Sequence, residues 1–275
     1  GSWPDRTTEN TIVLSAKRQK NKTTDLKTAA MNIIRQFVKK AIPAVIPPKL
    51  YLVHGAVSPF DSQAHANCYT ADTRPLKEIA FTFDDGPHPE HTPLLLDVLQ
   101  KYQQQATFFV IGEKARQYPH LIERIVQEGH ELGNHTLTHS EPAQTSTRDF
   151  LEEIEQTDQI LEQITGKKVK LVRPPKGKLN LGKLLGLWRQ RRTVVLWDID
   201  PRDYLMNDQS EMIDWCQNYH PVSGNFCLMH DNHPYAIEAV RQLSECQHTR
   251  IQSHTVSHWI ENKIQHSTRT QQACA

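Results

Sequence analysis

The chain has 275 residues, with 37% hydrophobic residues, 23% charged residues and a formal net charge of +1. This near balance of charge gives no basis for binding nucleic acid, which requires a strongly positive surface. The sequence has no apolar run of about 18 residues, so it predicts no membrane-spanning helix. The length suits one α/β domain of the barrel type, which reaches this size as a single unit.

Five cysteines are spread through the chain, at Cys68, Cys216, Cys227, Cys246 and Cys274. None belongs to a C-x-x-C pair, so a cysteine-based zinc site is not expected. Their odd number rules out a complete set of internal disulfides.

The first 75 residues are predicted to form an N-terminal extension, partly helical and partly irregular. Residues 3–23 are polar and basic and predict a peripheral arm. Residues 24–41 have apolar side chains at helical spacing, which predicts a helix packed against the domain, with a membrane-surface helix as the alternative. Residues 50–53 are predicted to add a strand. Because Gly1-Ser2 resembles an expression scar, we expect a native signal or anchor to have been removed.

From residue 79 onward, short apolar strands alternate with helical segments. The predicted strands are residues 79–83, 107–111, a short segment ending at Asn134, 169–172, 194–199, 226–229 and 251–256. This alternation predicts a parallel sheet with helices outside, and about seven such units favour a distorted (β/α) barrel over an open doubly wound sheet. We expect this domain to span residues 76–262, followed by a C-terminal tail at 263–275.

Two adjacent carboxylates, Asp84 and Asp85, end the first of these strands. Neighbouring residues of a strand point to opposite sides, so both can serve one site only if the backbone turns, and Gly86-Pro87 predicts that turn. Two carboxylates that are brought together require either a raised pKa or a neutralising cation. An ordinary acidic turn is the alternative interpretation.

His135 and His139 follow the short third strand. If a helical turn begins there, their spacing places both imidazoles on one face. With Asp85 as third ligand they form an N/O set that leaves an open position for water, as in catalytic zinc sites. His254 and His258 have the same spacing but lie within a predicted strand, so we expect them not to converge and to be structural.

Three more groups of polar residues follow predicted strands. They are Arg173-Pro174-Pro175, the carboxylates Asp198, Asp200 and Asp203, and His230-Asp231. The carboxyl ends of parallel strands share one face, where active sites form, so we expect these groups to meet the aspartates and histidines there. Asp198-Ile199-Asp200 also fits the D-x-D of haloacid-dehalogenase phosphatases, but Pro201-Arg202 departs from that motif.

From about residue 79 to residue 243 the chain resembles the polysaccharide deacetylases with a NodB homology domain, carbohydrate esterase family 4. Five motifs of that family occur in the family's order. They are Thr82-Phe83-Asp84-Asp85-Gly86, the segment from His135 to His139, Arg173-Pro174-Pro175, Asp203-Tyr204 and Leu228-Met229-His230.

The resemblance implies a catalytic role for each of these motifs. It implies that Zn²⁺, with Co²⁺ as a second possibility, is held by Asp85, His135 and His139. It also implies that Asp84 is the general base with Arg173 beside it, and that His230 is the general acid oriented by Asp203.

The resemblance further implies that Lys176, Tyr204 and Leu228 contact the substrate, with the backbone N–H of Lys176 helping to hold the oxyanion. The family usually has Tyr at the position of Lys176 and Trp at the position of Tyr204. These departures change the walls of the acetyl pocket. The Lys176 side chain either reads a carboxylate on a muramic or uronic acid or points to solvent.

The sequence therefore predicts a metal-dependent N-deacetylase, a monomer that acts on an N-acetylated glycan outside the cytoplasm. Chitin-like polymers, peptidoglycan and exopolysaccharide are the candidate substrates. An O-acetyl esterase of the acetylxylan type is the nearest alternative enzyme. A catalytically silent glycan-binding module is the alternative from another class, although such a module has no need of Asp84.

Overall fold

The computed structural model describes the backbone of residues 52–53 and the whole of residues 74–261. The predicted helix at residues 24–41 and the predicted tail at residues 263–275 lie outside these described residues.

The described part of the chain alternates strands and helices, as predicted. The strands are β1 (Leu52–Val53), β2 (Leu76–Asp84), β3 (Ala106–Val110), β4 (Glu131–Asn134), β5 (Leu171–Val172), β6 (Thr193–Val195), β7 (Phe226–His230) and β8 (Arg250–Ser253). The helices are α1 (His91–Lys101), α2 (Gly112–Gln117), α3 (Pro119–Gln127), α4 (Thr147–Thr165), α5 (Leu181–Arg189), α6 (Gln209–Asn218) and α7 (Tyr235–Ser244). Short 3₁₀ turns occupy Pro175–Gly177 and Asp203–Leu205.

All strand pairs are parallel, in the order β1-β6-β5-β4-β3-β2-β7, and β8 pairs with the first half of β2. The segment after β6 returns to this sheet, because Ile199 forms a parallel bridge with Cys227 of β7. The sheet therefore curls into a distorted half-barrel, and the prediction of a distorted (β/α) barrel is confirmed. An open doubly wound sheet, the alternative, is wrong.

Strand β2 lies at the centre of the fold. Its residues from Ile79 to Asp84 are all buried, as is the whole of β3. Burial without alternation is typical of parallel strands that are covered on both faces. The Phe83 and Phe108 rings meet across β2 and β3 with centroids 5.1 Å apart. This packing makes the carboxyl end of β2 a rigid base for the residues that follow it.

Several observed elements differ from the predicted ones, including β2, which begins at Leu76, and β5, which begins at Leu171. Strand β8 ends at Ser253, and a helix begins at residue 256. Strand β6 ends at Val195, with only the Ile199 bridge beyond it. Helix α2 is not predicted by the sequence pattern, because in its six residues only Gly112 and Ala115 are buried and no apolar period can build up.

The sequence predicts no membrane-spanning helix and no complete set of disulfides. No helix within residues 74–261 has both the length and the apolar character needed to cross a bilayer. Cys216 and Cys227 are buried free thiols, and Cys246 is a partly buried free thiol.

Candidate active site

The two central carboxylates, Asp84 and Asp85, differ in backbone conformation. Asp84 is the last residue of β2 and is 3% exposed. Asp85 adopts a left-handed conformation with φ +72°, one residue before the predicted turn at Gly86-Pro87. A non-glycine residue in this region costs about 1–2 kcal/mol. The turn at Asp85 allows its carboxylate to reach the same site as that of Asp84.

Asp85, His135 and His139 form a compact group of possible metal ligands. The Asp85 Oδ1 atom lies 3.5 Å from the Nε2 atom of each histidine. Four ligands about 2.1 Å from a tetrahedral ion lie about 3.4 Å from one another, so this spacing fits shared coordination. Asp85 Oδ1 is also buried without a hydrogen-bond partner, which a cation would satisfy. The residues present therefore fit a divalent metal ion.

The two histidines converge through a turn that is not helical. Thr136 and His139 have left-handed φ values of +67° and +56°. The ring centroids of His135 and His139 lie 4.9 Å apart. His135 Nδ1 donates to the Arg173 carbonyl at 2.7 Å, which leaves the Nε2 lone pair for a metal. Burial lowers the pKa of His135, which favours the neutral form that coordinates metals.

The buried Arg173 holds the carboxylate of Asp84 in place. This arginine follows β5 and is fully buried. Its Nη1 donates to Asp84 Oδ1 at 2.7 Å and to Thr82 Oγ1 at 2.8 Å, and its guanidinium lies 4.1 Å from the Phe109 ring centroid. The other Asp84 oxygen, Oδ2, lies 3.6 Å from His135 Nε2. Asp84 thus has one oxygen bound to the buried Arg173 guanidinium and one oxygen directed to the possible metal site.

His230 and Asp203 form a second hydrogen-bonded pair. His230 ends β7 directly opposite Asp84 in the parallel register. The buried Asp203 accepts from His230 Nδ1 and from the His230 backbone N–H, each at 2.7 Å. Burial alone would lower the pKa of His230, but the hydrogen bond and charge of Asp203, with the charges of Asp84 and Asp85, raise it to about 9. The Asp203 carboxylate therefore favours the protonated form of His230.

The D-x-D interpretation of residues 198–200 is wrong. Asp198 accepts hydrogen bonds from the Phe226 backbone N–H at 2.6 Å and from the Asn225 side chain at 2.7 Å. Asp200 accepts from the Arg202 backbone N–H at 2.8 Å. Both carboxylates are used to fix loops, so of the three predicted aspartates only Asp203 belongs to the site.

The second histidine pair departs from the prediction in its geometry. His254 follows β8 instead of lying within it, and its ring stacks on that of His258 with centroids 4.2 Å apart. The prediction that these rings would not converge is wrong. His254 Nε2 lies 3.1 Å from Glu78 Oε1. The groups of three or more possible ligands within residues 74–261 do not include His254 or His258.

The predicted substrate-contacting residues occupy different environments. Lys176 has a left-handed φ of +54°, and its ammonium forms an exposed ion pair with Glu141. Tyr204 is exposed and packs edge-on against the His230 ring, with centroids 5.5 Å apart. Leu228 is buried within β7. A contact of these three residues with substrate stays a prediction.

Lys114 and His233 lie near the site and were not assigned a role from the sequence, whereas Asp231 was named there only as the neighbour of His230. Lys114 of α2 donates to the Asp85 carbonyl at 2.7 Å, and a Cβ on Gly86 would lie 2.1 Å from Asp231 Oδ2. Burial raises the pKa of Asp231 to about 7. His233 Nε2 lies 3.8 Å from Asp203 Oδ2. Asp231 had a signal in the sequence, because it follows the motif residue His230, whereas Lys114 and His233 belong to no motif.

A half-barrel that brings three possible metal ligands and a hydrogen-bonded histidine–aspartate pair to its strand ends is typical of hydrolases. The family model for polysaccharide deacetylase matches residues 71–186. The chain is also 35% identical over 157 residues, 56% of its length, to a peptidoglycan-N-acetylglucosamine deacetylase of Bacillus cereus, of which it covers 73%. The chain belongs to the polysaccharide deacetylase family, carbohydrate esterase family 4, as the five motifs predicted.

Another relative is the peptidoglycan-N-acetylmuramic acid deacetylase PdaC of Bacillus subtilis, 37% identical over 167 residues, 61% of this chain. The solved structure of PdaC superposes with a TM-score of 0.63 and 34% identity, covering 72% of this chain and 96% of that chain. The chain spans only 35% of the full-length PdaC sequence and 46% of a second Bacillus cereus deacetylase.

We expect the two central aspartates to differ in metal affinity. Asp85→Asn should weaken Zn²⁺ binding by at least about 10-fold, because Asp85 is the carboxylate that reaches both histidines. Asp84→Asn should leave the affinity within about 3-fold of wild type, because Arg173 holds one of its oxygens. Competition with a fluorescent chelator gives both affinities.

A His254→Ala, His258→Ala double variant is the control for this experiment and should bind Zn²⁺ like the wild type. Loss of binding in Asp84→Asn with retention in Asp85→Asn would reverse the two roles. An equal loss in the control would place the metal elsewhere.

Proposed function

We propose that the protein is a metal-dependent hydrolase that removes acetyl groups from the N-acetylated sugars of a polysaccharide. The observation that carries this proposal is the meeting of the three-ligand group, the Arg173–Asp84 pair and the Asp203–His230 pair at the carboxyl ends of neighbouring strands. The names of the relatives, which are deacetylases of peptidoglycan sugars, support the substrate class.

We assign a divalent cation, Zn²⁺ or Co²⁺, to Asp85, His135 and His139. Two imidazoles and one carboxylate with an open position are typical of catalytic zinc sites. A cation bound there would polarise the acetamide carbonyl and lower the pKa of a water molecule. These three residues also orient one another, because the Asp85 carboxylate lies between the two rings.

Asp84 is the general base in this proposal. Its Oδ2 atom faces the ligand group, while Arg173 holds Oδ1 and fixes the direction of the carboxylate. The attacking water gives its proton to Oδ2. General base catalysis of this kind is worth about 10²–10⁴ in rate, so Asp84→Asn should lose activity by that order while it retains metal.

His230 is the general acid. Its Nδ1–H is bound to Asp203, so Nε2 carries the proton that the departing sugar amine receives. The turn after Arg173 carries the backbone N–H of Lys176, which we assign to the oxyanion. That turn is fixed from both sides, because the Gly177 and Lys178 N–H groups donate to the Pro174 and Pro175 carbonyls.

The substrate lies outside the cytoplasm in this proposal, since peptidoglycan and related glycans are found there. We assign residues 76–262 to the catalytic domain, residues 1–75 to an N-terminal extension and residues 263–275 to a tail, in a monomer. The Asp203–His230 pair favours N-deacetylation over O-acetyl ester hydrolysis, because an amine leaves only after it is protonated and this histidine is placed to donate the proton. A silent glycan-binding module would have no use for the two hydrogen-bonded pairs.

Acetate release from a panel of glycans tests the proposed activity. Chitooligosaccharides, peptidoglycan and N-acetylglucosamine polymer should release acetate faster than acetylxylan does. Thorough chelation should abolish release, and added Zn²⁺ or Co²⁺ should restore it, because the ligand group needs its cation. Acetate release that persists in protein free of metal would overturn the proposal.

The pH dependence of turnover tests the acid. His230 must be protonated, so the rate should fall as pH rises through its pKa, which is raised to about 9 and is lowered again by a bound cation. Asp203→Asn removes the charge that raises this pKa, so the alkaline limb should move to lower pH by about 1–2 units. An alkaline limb that stays in place in Asp203→Asn would assign it to another group.

The Lys176–Glu141 pair tests substrate choice. Glu141→Gln should free the Lys176 ammonium and raise kcat/KM for glycans with a muramic carboxylate relative to neutral chitooligosaccharides. The change should be no more than about 5-fold, because the pair is exposed to solvent. Lys176→Tyr should shift the ratio the opposite way. An unchanged ratio in both variants would leave Lys176 with its backbone role alone.

A further inference from the structure

The turn from His135 to Ser140, here called the ligand turn, carries two of the three possible metal ligands. It contains two non-glycine residues in the left-handed region, Thr136 and His139. Such residues persist only where surrounding structure holds them. Contacts within the ligand turn contribute, because Thr136 Oγ1 accepts from the His139 N–H at 3.1 Å. The Thr138 hydroxyl also donates to the Ser140 hydroxyl at 3.2 Å. Neither of these local hydrogen bonds involves the backbone N–H groups of Leu137 and Thr138, which take an acceptor from outside the turn.

Glu153 of α4 is that outside group. Its Oε2 atom accepts from the backbone N–H of Leu137 at 3.1 Å and from that of Thr138 at 3.0 Å. The Thr138 hydroxyl donates to the same carboxylate at 3.1 Å, and the Ser140 hydroxyl donates to Oε1. One side chain thus binds three residues of the ligand turn, namely Leu137 and Thr138 between the two histidines and Ser140 just beyond His139.

Glu153 can act as a fixed point because its helix is fastened to the end of β4. The Asn134 side chain donates to the Ile154 carbonyl at 2.8 Å and to Asp158 Oδ1 at 2.9 Å. Thr157, one helical turn beyond Glu153, is buried and packs where a Cβ on Gly112 would stand. The ligand turn is therefore held between a strand and a helix that are themselves joined.

The ligand turn is also held by backbone contacts on its other side. The Gly112 and Glu113 N–H groups donate to the Thr136 and Leu137 carbonyls, each at 3.0 Å. These contacts fix carbonyl groups, whereas Glu153 alone accepts from the N–H groups of Leu137 and Thr138 among the hydrogen bonds described here. Loss of Glu153 would leave these two N–H groups without their acceptor. The peptides that position His139 would then be free to rotate.

We propose that Glu153 is a positioning residue that holds the ligand turn in the conformation needed to bind metal. This inference rests on the proposed metal-dependent function. Glu153 touches neither a metal ligand side chain nor a reacting atom, so it acts through the backbone geometry of His135 and His139. Its removal should weaken metal binding more than it weakens the metal-free fold.

Glu153→Ala tests this proposal, with Glu153→Gln as a second variant and Glu155→Ala as the matched control. Glu155 is an exposed residue of the same helix, two positions on. Measurements on the purified full chain are the Zn²⁺ dissociation constant, the Tm with and without metal, and the Co²⁺ absorption spectrum. Groups that orient metal ligands are worth about 10–100-fold in affinity. We expect a loss of that size in Glu153→Ala and a change below about 2-fold in Glu155→Ala.

Glu153→Gln retains one acceptor oxygen and should lose about 3–10-fold in affinity. The rise of Tm on adding metal should shrink in both Glu153 variants, because weaker binding stabilises the fold less. The Co²⁺ spectrum should change shape in Glu153→Ala, since the histidine geometry is no longer fixed. If Glu153→Ala does not fold, Glu153→Gln carries the test through the same measurements.

A fall in the Tm of metal-free Glu153→Ala with an unchanged dissociation constant would overturn the inference and leave Glu153 a structural residue. Equal losses in Glu153→Ala and Glu155→Ala would also overturn it. A wild-type chain that binds no Zn²⁺ would overturn the proposed function itself, which is a different result. Normal metal binding with no acetate release from any glycan would reject the activity but leave the role of Glu153 intact.

Discussion

The buried ion pair between Arg173 and Asp84 is the interaction on which the rest of the site depends. Arg173 is fully buried, and its guanidinium reaches the carbonyl groups of Val195 and Leu196 at 3.3 Å as well as Asp84. Arg173, which follows β5, therefore joins the end of β2 to the end of β6. A buried charge that loses its partner costs about 3–5 kcal/mol, so truncating either side chain alone carries a large penalty, whereas Asn at position 84 keeps an oxygen acceptor for Arg173. The pair fixes both the fold at the strand ends and the direction of the Asp84 carboxylate.

This ion pair explains how two adjacent aspartates have different environments. One oxygen of Asp84 is bound to the Arg173 guanidinium, and the other faces the ligand group. Asp85 instead has an oxygen that lies near two imidazoles and has no hydrogen-bond partner. The parallel register adds the third element, since it places His230 beside Asp84. The proposed base and acid therefore stand on neighbouring strands, and the ligands stand on the loops after β2 and β4. The order of the strands in the sheet therefore determines where the proposed base, the proposed acid and the possible metal ligands lie.

Much of this arrangement could be predicted from the sequence, because its signals are periodic or local. Apolar runs with polar ends predicted the strands, and the parallel fold then predicted that Asp84, His135, Arg173 and His230 would meet. The residue pattern alone could not separate Asp203 from Asp198, since both follow the same strand, and only the resemblance to the family pointed to Asp203. The hydrogen bonds of the two loops now distinguish them. The sequence also could not predict Glu153, because a glutamate on an amphipathic helix has the same appearance whether its carboxylate faces solvent or a neighbouring turn. Contacts between distant segments leave no local pattern.

The least predictable feature of the site is its backbone. Within residues 74–261, four of the seven non-glycine residues with positive φ lie in the site motifs or directly follow one, namely Asp85, Thr136 and His139 within motifs and Lys176 after Arg173-Pro174-Pro175. Ordinary residue types in the left-handed region give no sequence signal, and each costs about 1–2 kcal/mol. Hydrogen bonds offset that cost, such as the tertiary contact of Lys114 with the Asp85 carbonyl and the local bond from the Thr136 N–H to Asn134 Oδ1. A side chain leaving a strand end in the usual direction would not reach the shared point, so the strained residues are what bring the ligands together. The residues that hold these conformations are therefore as much a part of the site as the ligands.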